Sequence, residues 1–146
     1  MPNEPPAGGR APYRILQSIG AAMAGVLVNV VLSIATDGAM FALGIFPAGK
    51  RLDDWLFVIP TIYRFAYGVL GSYVTARLAP YRPLTHAMVL GFIGMAAGTA
   101  GLVANWGRME ELGPLWYALA IMIIPLPCAW LGGVFGSSQG PPQARS

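Results

Sequence analysis

Apolar residues in this chain do not alternate with polar ones. They gather in four long runs, at residues 15–36, 56–78, 84–104 and 115–136, divided by short segments that hold almost every charge. At 1.5 Å of rise per residue, a helical run of about 20 residues crosses a hydrocarbon core roughly 30 Å thick, so each run predicts a transmembrane helix. The runs are continuous and lack the in–out alternation over about ten residues that barrel strands show. With no water in the core to satisfy backbone groups, helices are what remains. The predicted fold is an all-α membrane protein, with four transmembrane helices in an antiparallel bundle over residues 13–136. Residues 1–12 and 137–146 are rich in Pro, Gly and small polar residues, and they read as flexible tails.

The first apolar region runs on past residue 36 as far as Phe46. One helix over residues 15–46 would be about 48 Å long and would have to tilt steeply to stay in the core. A break at Asp37–Gly38 is therefore expected, with residues 39–46 forming a short apolar segment in the outer interface before the turn Pro47-Ala48-Gly49. The run is too long for the 7–15-residue apolar region of a secretory signal and reads as a retained helix. The connection Ala79-Pro80-Tyr81-Arg82-Pro83 is short enough to make helices two and three neighbours.

Composition agrees with the pattern, since 55% of the 146 residues are hydrophobic and only 10% charged, too little polar surface for a soluble chain of this length. The basic residues set the orientation. With both termini cytoplasmic, the inner side carries Arg10, Arg14, Arg77, Arg82 and Arg145, and the outer side Lys50, Arg51 and Arg108. The acids Asp53, Asp54, Glu110 and Glu111 all fall in the outer loops, so the topology is read as N-in, C-in. The net charge of +3 comes from flanking arginines; no basic run or aromatic-interleaved patch points to nucleic acid. The single Cys128 lies in the fourth run, which excludes an intrachain disulfide.

Packing signals are stronger than chemical ones. In the third helix Ala87, Gly91, Gly94, Gly98, Gly101 and Asn105 recur at steps of four and three, which puts them on one face. The second helix repeats the device with Thr61, Arg64, Gly68, Gly71 and Thr75, and the fourth with Ala118, Met122, Pro125, Ala129, Gly132 and Gly136. Helices in lipid associate through close packing rather than hydrophobic expulsion, so small residues at this period predict tight seams, within the chain or with a partner. The first helix carries a polar stripe of Ser18, Ala22, Gly25, Asn29, Ser33 and Asp37. Asn29, near mid-membrane, needs a hydrogen-bond partner and is expected to find one across a helix interface.

Asp37 and Arg64 are the candidate intramembrane charge pair. They lie at matching depths toward the outer side, and an arginine in lipid must face the bundle, snorkel outward or pair with a carboxylate. The pair reads as a structural lock or, with Asn29, as the polar wall of a cavity. His86 opens the third helix at the inner interface and reads as a cap or headgroup contact. Pro125 and Pro127 precede Cys128 and are expected to bend the fourth helix. Trp55, Trp106 and Trp116 form an aromatic belt, and Tyr63, Tyr67, Tyr73 and Tyr117 read as interface and packing residues. No nucleophile–base pair, phosphate-binding glycine loop, metal-ligand cluster or HExxH motif occurs, so neither catalysis nor a cofactor is expected.

The segments YRFAYGVLGSYVTARLAP with the RP and HA that follow, GPLWYALA and LPCAWLGG resemble a group of small four-helix bacterial inner-membrane proteins of unknown function, over roughly residues 13–134. The resemblance implies a bacterial inner-membrane location and a multi-pass four-helix fold, and it brings no activity or site residues. The chain departs from small multidrug transporters, which rely on a carboxylate in mid-helix one, where Asn29 stands here. It resembles the four-helix glutathione-dependent membrane enzymes in size alone. Two functions follow from the residues. One is a structural or accessory subunit, packing through its glycine faces with itself, with lipid and with other membrane subunits. The other is a small transporter or ligand-binding protein with a polar cavity near Asn29, Asp37 and Arg64. They differ in whether those three side chains meet around a space or satisfy one another in a filled core.

Overall fold

A computed structural model describes residues 10–46, 53–108 and 113–139. Lys50, Arg51, Glu110, Glu111, Arg145, the Pro47-Ala48-Gly49 turn and the ends of both tails lie outside the described residues. The described chain is helical throughout: α1 (Arg10–Ala42), α2 (Val58–Leu78), α3 (Pro83–Ala104), α4 (Leu115–Ile123) and α5 (Pro125–Ser138), with single 3₁₀ turns at Asp54–Phe57 and Trp106–Arg108. Among the described residues three segments are long and apolar enough to cross a membrane, Tyr13–Ala42, Pro83–Ala104 and Leu115–Ser138, the last formed by α4 and α5 together; α2, expected as a fourth, is not one of them.

Two boundaries differ from the sequence reading. The expected break at Asp37–Gly38 is absent, and α1 continues for 33 residues, about 50 Å. One glycine costs a helix only about 1 kcal/mol, and the Asp37 carboxylate is compensated by side chains of α2, so nothing forces a break there. The stop signal is Gly44. At φ +71° it takes the left-handed conformation, while its N–H bonds Phe41 O at 3.1 Å and the Ile45 N–H bonds Met40 O at 3.0 Å. This pair of bonds is the Schellman motif. The separate interfacial segment at residues 39–46 is thereby corrected to the last turn of α1 and its cap. Helix also reaches into both expected tails, back to Arg10 and on to Ser138.

Prolines set the other ends. Ala79, preceding Pro80, is extended (φ −62°, ψ 130°) and closes α2. Arg82 is left-handed (φ 43°), and Pro83 then starts α3 with its φ already helical. At Ile124 the fourth apolar run divides into α4 and α5, because Pro125 has no N–H to offer the Ile121 carbonyl.

Side chains are sorted by size rather than by polarity. Apart from Phe46 and Tyr63, the buried core side chains are small: Ala21, Ala76, Ala87, Ala129, Ser72, Thr75 and Cys128. Large apolar ones point outward, Leu16 at 67% exposure, Ile62 at 64% and Val103 at 69%. Water would penalise such a surface, whereas lipid favours it. Close backbone approach makes the seams. A Cβ on Gly71 would lie 2.6 Å from Gly25 O of α1, one on Gly136 2.6 Å from Ala76 Cβ of α2, and one on Gly133 2.9 Å from Ala87 Cβ of α3. α2 and α3 do touch, as expected of a short connection, but each packs far more extensively on α5. α2 is the inner helix, against α1 on one side and α5 on the other, while α1 and α3 scarcely meet.

Candidate functional site

Because α1 and α3 stand apart, a half-open cleft of about 460 Å³ remains between them. One wall is α1 (Val26, Asn29, Val30, Ser33, Ile34), and the other is α3 (Leu90, Ile93, Ala97) with Ile121 and Ile124. The floor is made of residues with little or no side chain: Gly68, Gly71 and Ser72 of α2, and Gly91 and Gly94 of α3, beside Pro125 and Cys128. Absent Cβ atoms keep the helices tight below the cleft. A Cβ on Gly94 would meet Pro125 Cβ at 2.9 Å, and one on Gly68 would meet Cys128 Sγ at the same distance. The Cys128 S–H donates to Phe65 O at 3.3 Å, so the thiol is tied to α2.

One end of the cleft is charged. Arg64 Nη2 donates to Asp37 Oδ2 at 2.8 Å, and the Tyr63 hydroxyl donates to Asp37 Oδ1. One turn along α2, Tyr67 is joined hydroxyl to hydroxyl at 2.8 Å to Thr36, the residue before Asp37, so two successive turns of α2 are stitched to one point of α1. The guanidinium and carboxylate side chains are 34% and 30% exposed, neither free in water nor sealed in the bundle. Arg64 Nε is buried and has no hydrogen-bond partner, and the same holds for the Thr75 hydroxyl at the Gly25–Gly71 crossing. Beyond the charged end, the ring of Phe57 lies 4.9 Å from that of Tyr117 and covers Gly113, whose φ of +137° suits only glycine.

At the opposite end α1 and α3 are joined side chain to side chain. His86 Nε2 lies 2.9 Å from Ser18 Oγ, and its Nδ1 lies 3.2 Å from Arg82 O. The Ser18 hydroxyl also lies 2.9 Å from Arg14 O, so the contact between His86 Nε2 and Ser18 joins α3 to the turn of α1 that begins at Arg14. His86 therefore fastens α1 to the first turn of α3 without capping it.

Comparison with protein-family models, with curated proteins and with solved structures found no match. The cleft is read from its own geometry.

Asn29, Asp37 and Arg64 all line this one space, as do Gly68, Gly71, Gly91 and Gly94. Gly98 sits instead against α4, where an added Cβ would meet Met122 Cα at 3.0 Å and Ile121 O at 3.3 Å. That carbonyl is the one Pro125 leaves without its helical partner. Gly101 faces outward with nothing within 4 Å of an added Cβ. The interhelical hydrogen bond expected of Asn29 is not formed; its Oδ1 accepts from Ser33 Oγ at 3.4 Å, one turn along the same helix, because the space opposite it is the cleft. Tyr63, read as a packing residue, is a direct partner of Asp37. The apolar wall on α3 carries no polar marker that would tell cleft from lipid in the sequence. Among the described residues no group of three metal-ligating side chains occurs.

Proposed function

We propose that this chain is an integral membrane protein that binds a small amphiphilic molecule, taken up sideways from the lipid into the cleft between α1 and α3. The observation that carries the reading is the convergence of Asn29, Ser33, Asp37 and Arg64 on one 460 Å³ space whose opposing walls are aliphatic. That volume lies within the range of small-molecule sites, about 300–1,000 Å³, and so does the balance of apolar walls with a few placed polar groups. Ionisable groups inside a membrane are costly, and they are retained where they face a functional cavity. The glycine faces that would have served an accessory subunit close on helices of the same chain, apart from Gly101, so they no longer call for a partner.

In the proposed topology the helices run antiparallel with both ends of the domain on the cytoplasmic face of a bacterial inner membrane. Arg14, Arg77 and Arg82 gather at that face, and Trp55, Trp106 and Trp116 at the other. The charged end of the cleft then lies in the outer half of the bilayer and the His86–Ser18 fastening at the inner surface. The role is to hold or pass on its ligand without chemical conversion, with lipid as the immediate partner.

The test is native mass spectrometry of the protein released from membranes. Ala97 is exposed on the α3 wall, so Ala97→Trp fills the cleft without touching the seams. The wild type is expected to retain one small amphiphile, as is Ala97→Ser, and Ala97→Trp to lose it. Equal adducts on all three proteins would refute the proposal.

A further inference from the structure

Resting on that reading of the cleft, we infer that its ligand is a single-chain amphiphile with a compact, uncharged, hydrogen-bond-accepting head, a carbonyl or hydroxyl, held by Arg64. Four observations define the class, and the first is the donor balance at the charged end. A guanidinium offers five N–H donors. Arg64 Nη2 donates to Asp37 Oδ2, the Tyr63 phenol lies against the same guanidinium, and the buried Nε has no partner. Asp37, by contrast, is served on both oxygens, by Tyr63 and by Arg64. What the site lacks is an acceptor.

The second observation is charge. Arg64 and Asp37 cancel, and among the described residues lining the cleft they are the ionisable pair, beside the Cys128 thiol. An anionic head would leave one uncompensated negative charge in a medium of low dielectric, and a cationic head one positive charge. A neutral acceptor can meet the exposed third of the Arg64 side chain and leaves the charge pair undisturbed.

Depth is the third. Asp37 lies five residues before the end of α1 at Ala42, and Arg64 six residues after the start of α2 at Val58. At 1.5 Å per residue Arg64 lies about 9 Å inside the start of α2, whose 21 residues span roughly the 30 Å hydrocarbon core, so the pair sits below the level of lipid headgroups. A phosphate-bearing head would have to be dragged into the hydrocarbon to reach it, whereas a ketone, ester or alcohol already lies at such depth.

Size is the fourth. The cleft's 460 Å³ equals about fifteen water volumes at roughly 30 Å³ each, room for one hydrocarbon chain and not for two. From Asp37 back to Gly25 the α1 wall is about 18 Å long. A chain anchored at Arg64 runs along Ile34, Val30 and Val26 toward mid-membrane, facing Leu90, Ile93 and Ala97. Arg64 is thus a binding residue, and Asp37 and Tyr63 position its guanidinium.

The experiment uses the full chain in phosphatidylcholine nanodiscs and tritiated dodecanol as probe. Specific binding is the wild-type signal less that of Ala97→Trp, which subtracts partition into the bilayer. Competitors of equal chain length are 2-dodecanone, dodecanoate at a pH where it is ionised, dodecyltrimethylammonium and dodecane. Dodecanol and the ketone are expected to compete at least tenfold better than either ion or the alkane. Arg64→Met is expected to retain binding but to erase the preference of dodecanol over dodecane. Ionised dodecanoate competing as well as the ketone would overturn the neutral-head assignment while leaving the cleft a ligand site. An unchanged preference in a folded Arg64→Met protein would overturn the role of Arg64. Absence of any specific probe binding would overturn both the assignment and the reading beneath it.

Discussion

Gly71 is the point at which α1 and α2 come closest, so its replacement by alanine separates the proposed packing from a general abundance of glycine. A Cβ there would lie 2.6 Å from Gly25 O, and also 3.4 Å from Asn29 Cβ. Restoring an ordinary contact of 3.4 Å means parting the helices by about 0.8 Å, the difference between those two distances. A gap of 0.5–1 Å forfeits between a quarter and a half of each dispersion contact it opens, and forced expansion of a packed seam costs about 1–3 kcal/mol. The same substitution at Gly101, where nothing lies within 4 Å, carries no such penalty and removes a flexible helix residue. It is expected to be neutral or stabilising by up to about 1 kcal/mol. The propensity gain is common to both variants, so they are expected to differ by the packing penalty, about 1–3 kcal/mol, in equilibrium unfolding followed by circular dichroism in mixed micelles. Agreement of the two to within about 0.5 kcal/mol would refute the argument that glycine at this crossing sets the helix spacing.

Further outcomes follow from the ends of the cleft and from its floor. Asp37→Asn leaves the Arg64 charge without its counter-ion. Loss of one member of a fully buried pair costs about 3–5 kcal/mol, but these side chains are about one third exposed, so a loss of roughly 1–2 kcal/mol is expected. Asp37→Asn combined with Arg64→Met is expected to unfold at a higher midpoint than Asp37→Asn alone, since the stranded charge is gone; a lower midpoint would remove the charge-pair account. Ser18→Ala breaks the bond between α1 and His86, and amide exchange along residues 14–22 is expected to accelerate severalfold while the α2–α5 seam stays protected. Uniform acceleration across all helices would mean that the bond holds more than this end of the cleft. Pro125→Ala returns an N–H to the Ile121 carbonyl, and is expected to join α4 and α5 and to disturb the contacts of Gly94 and Gly98, read as shifted resonances on α3.

Periodicity is what made much of this architecture legible. Glycines at steps of four and three in helices two and three predict a close-packed face, and that face is where α2, α3 and α5 approach. Matching depth alone brought Asp37 and Arg64 together. The end of α1 was misread because a length argument was allowed to outweigh local chemistry. Asp37 looks like a terminus until its partners on α2, some 26 residues away, are known, whereas Gly44 was the real stop and carried the ordinary C-terminal signature. Tyr63 could have been found by asking what else on α2 lies beside Arg64 and can donate to a carboxylate. The α3 wall could not have been found, because Leu90, Ile93 and Ala97 are the residues that a lipid-facing surface would also present. The cleft exists because α1 and α3 meet only at the His86–Ser18 end and stand apart above it, a property of the packing of α2 and α5 that no single run of residues encodes.

The central claim, that a small amphiphile occupies the space between α1 and α3, is tested most directly by intermolecular nuclear Overhauser effects. Dodecanol is added to methyl-labelled protein in nanodiscs of deuterated lipid. Contacts from the ligand chain to the methyl groups of Val26, Val30, Ile34, Ile93 and Ile124, with the carbinol end nearest Arg64, are the expected result. Contacts confined to outward methyl groups such as those of Leu16, Ile62 and Val103, with none inside the cleft, would contradict it.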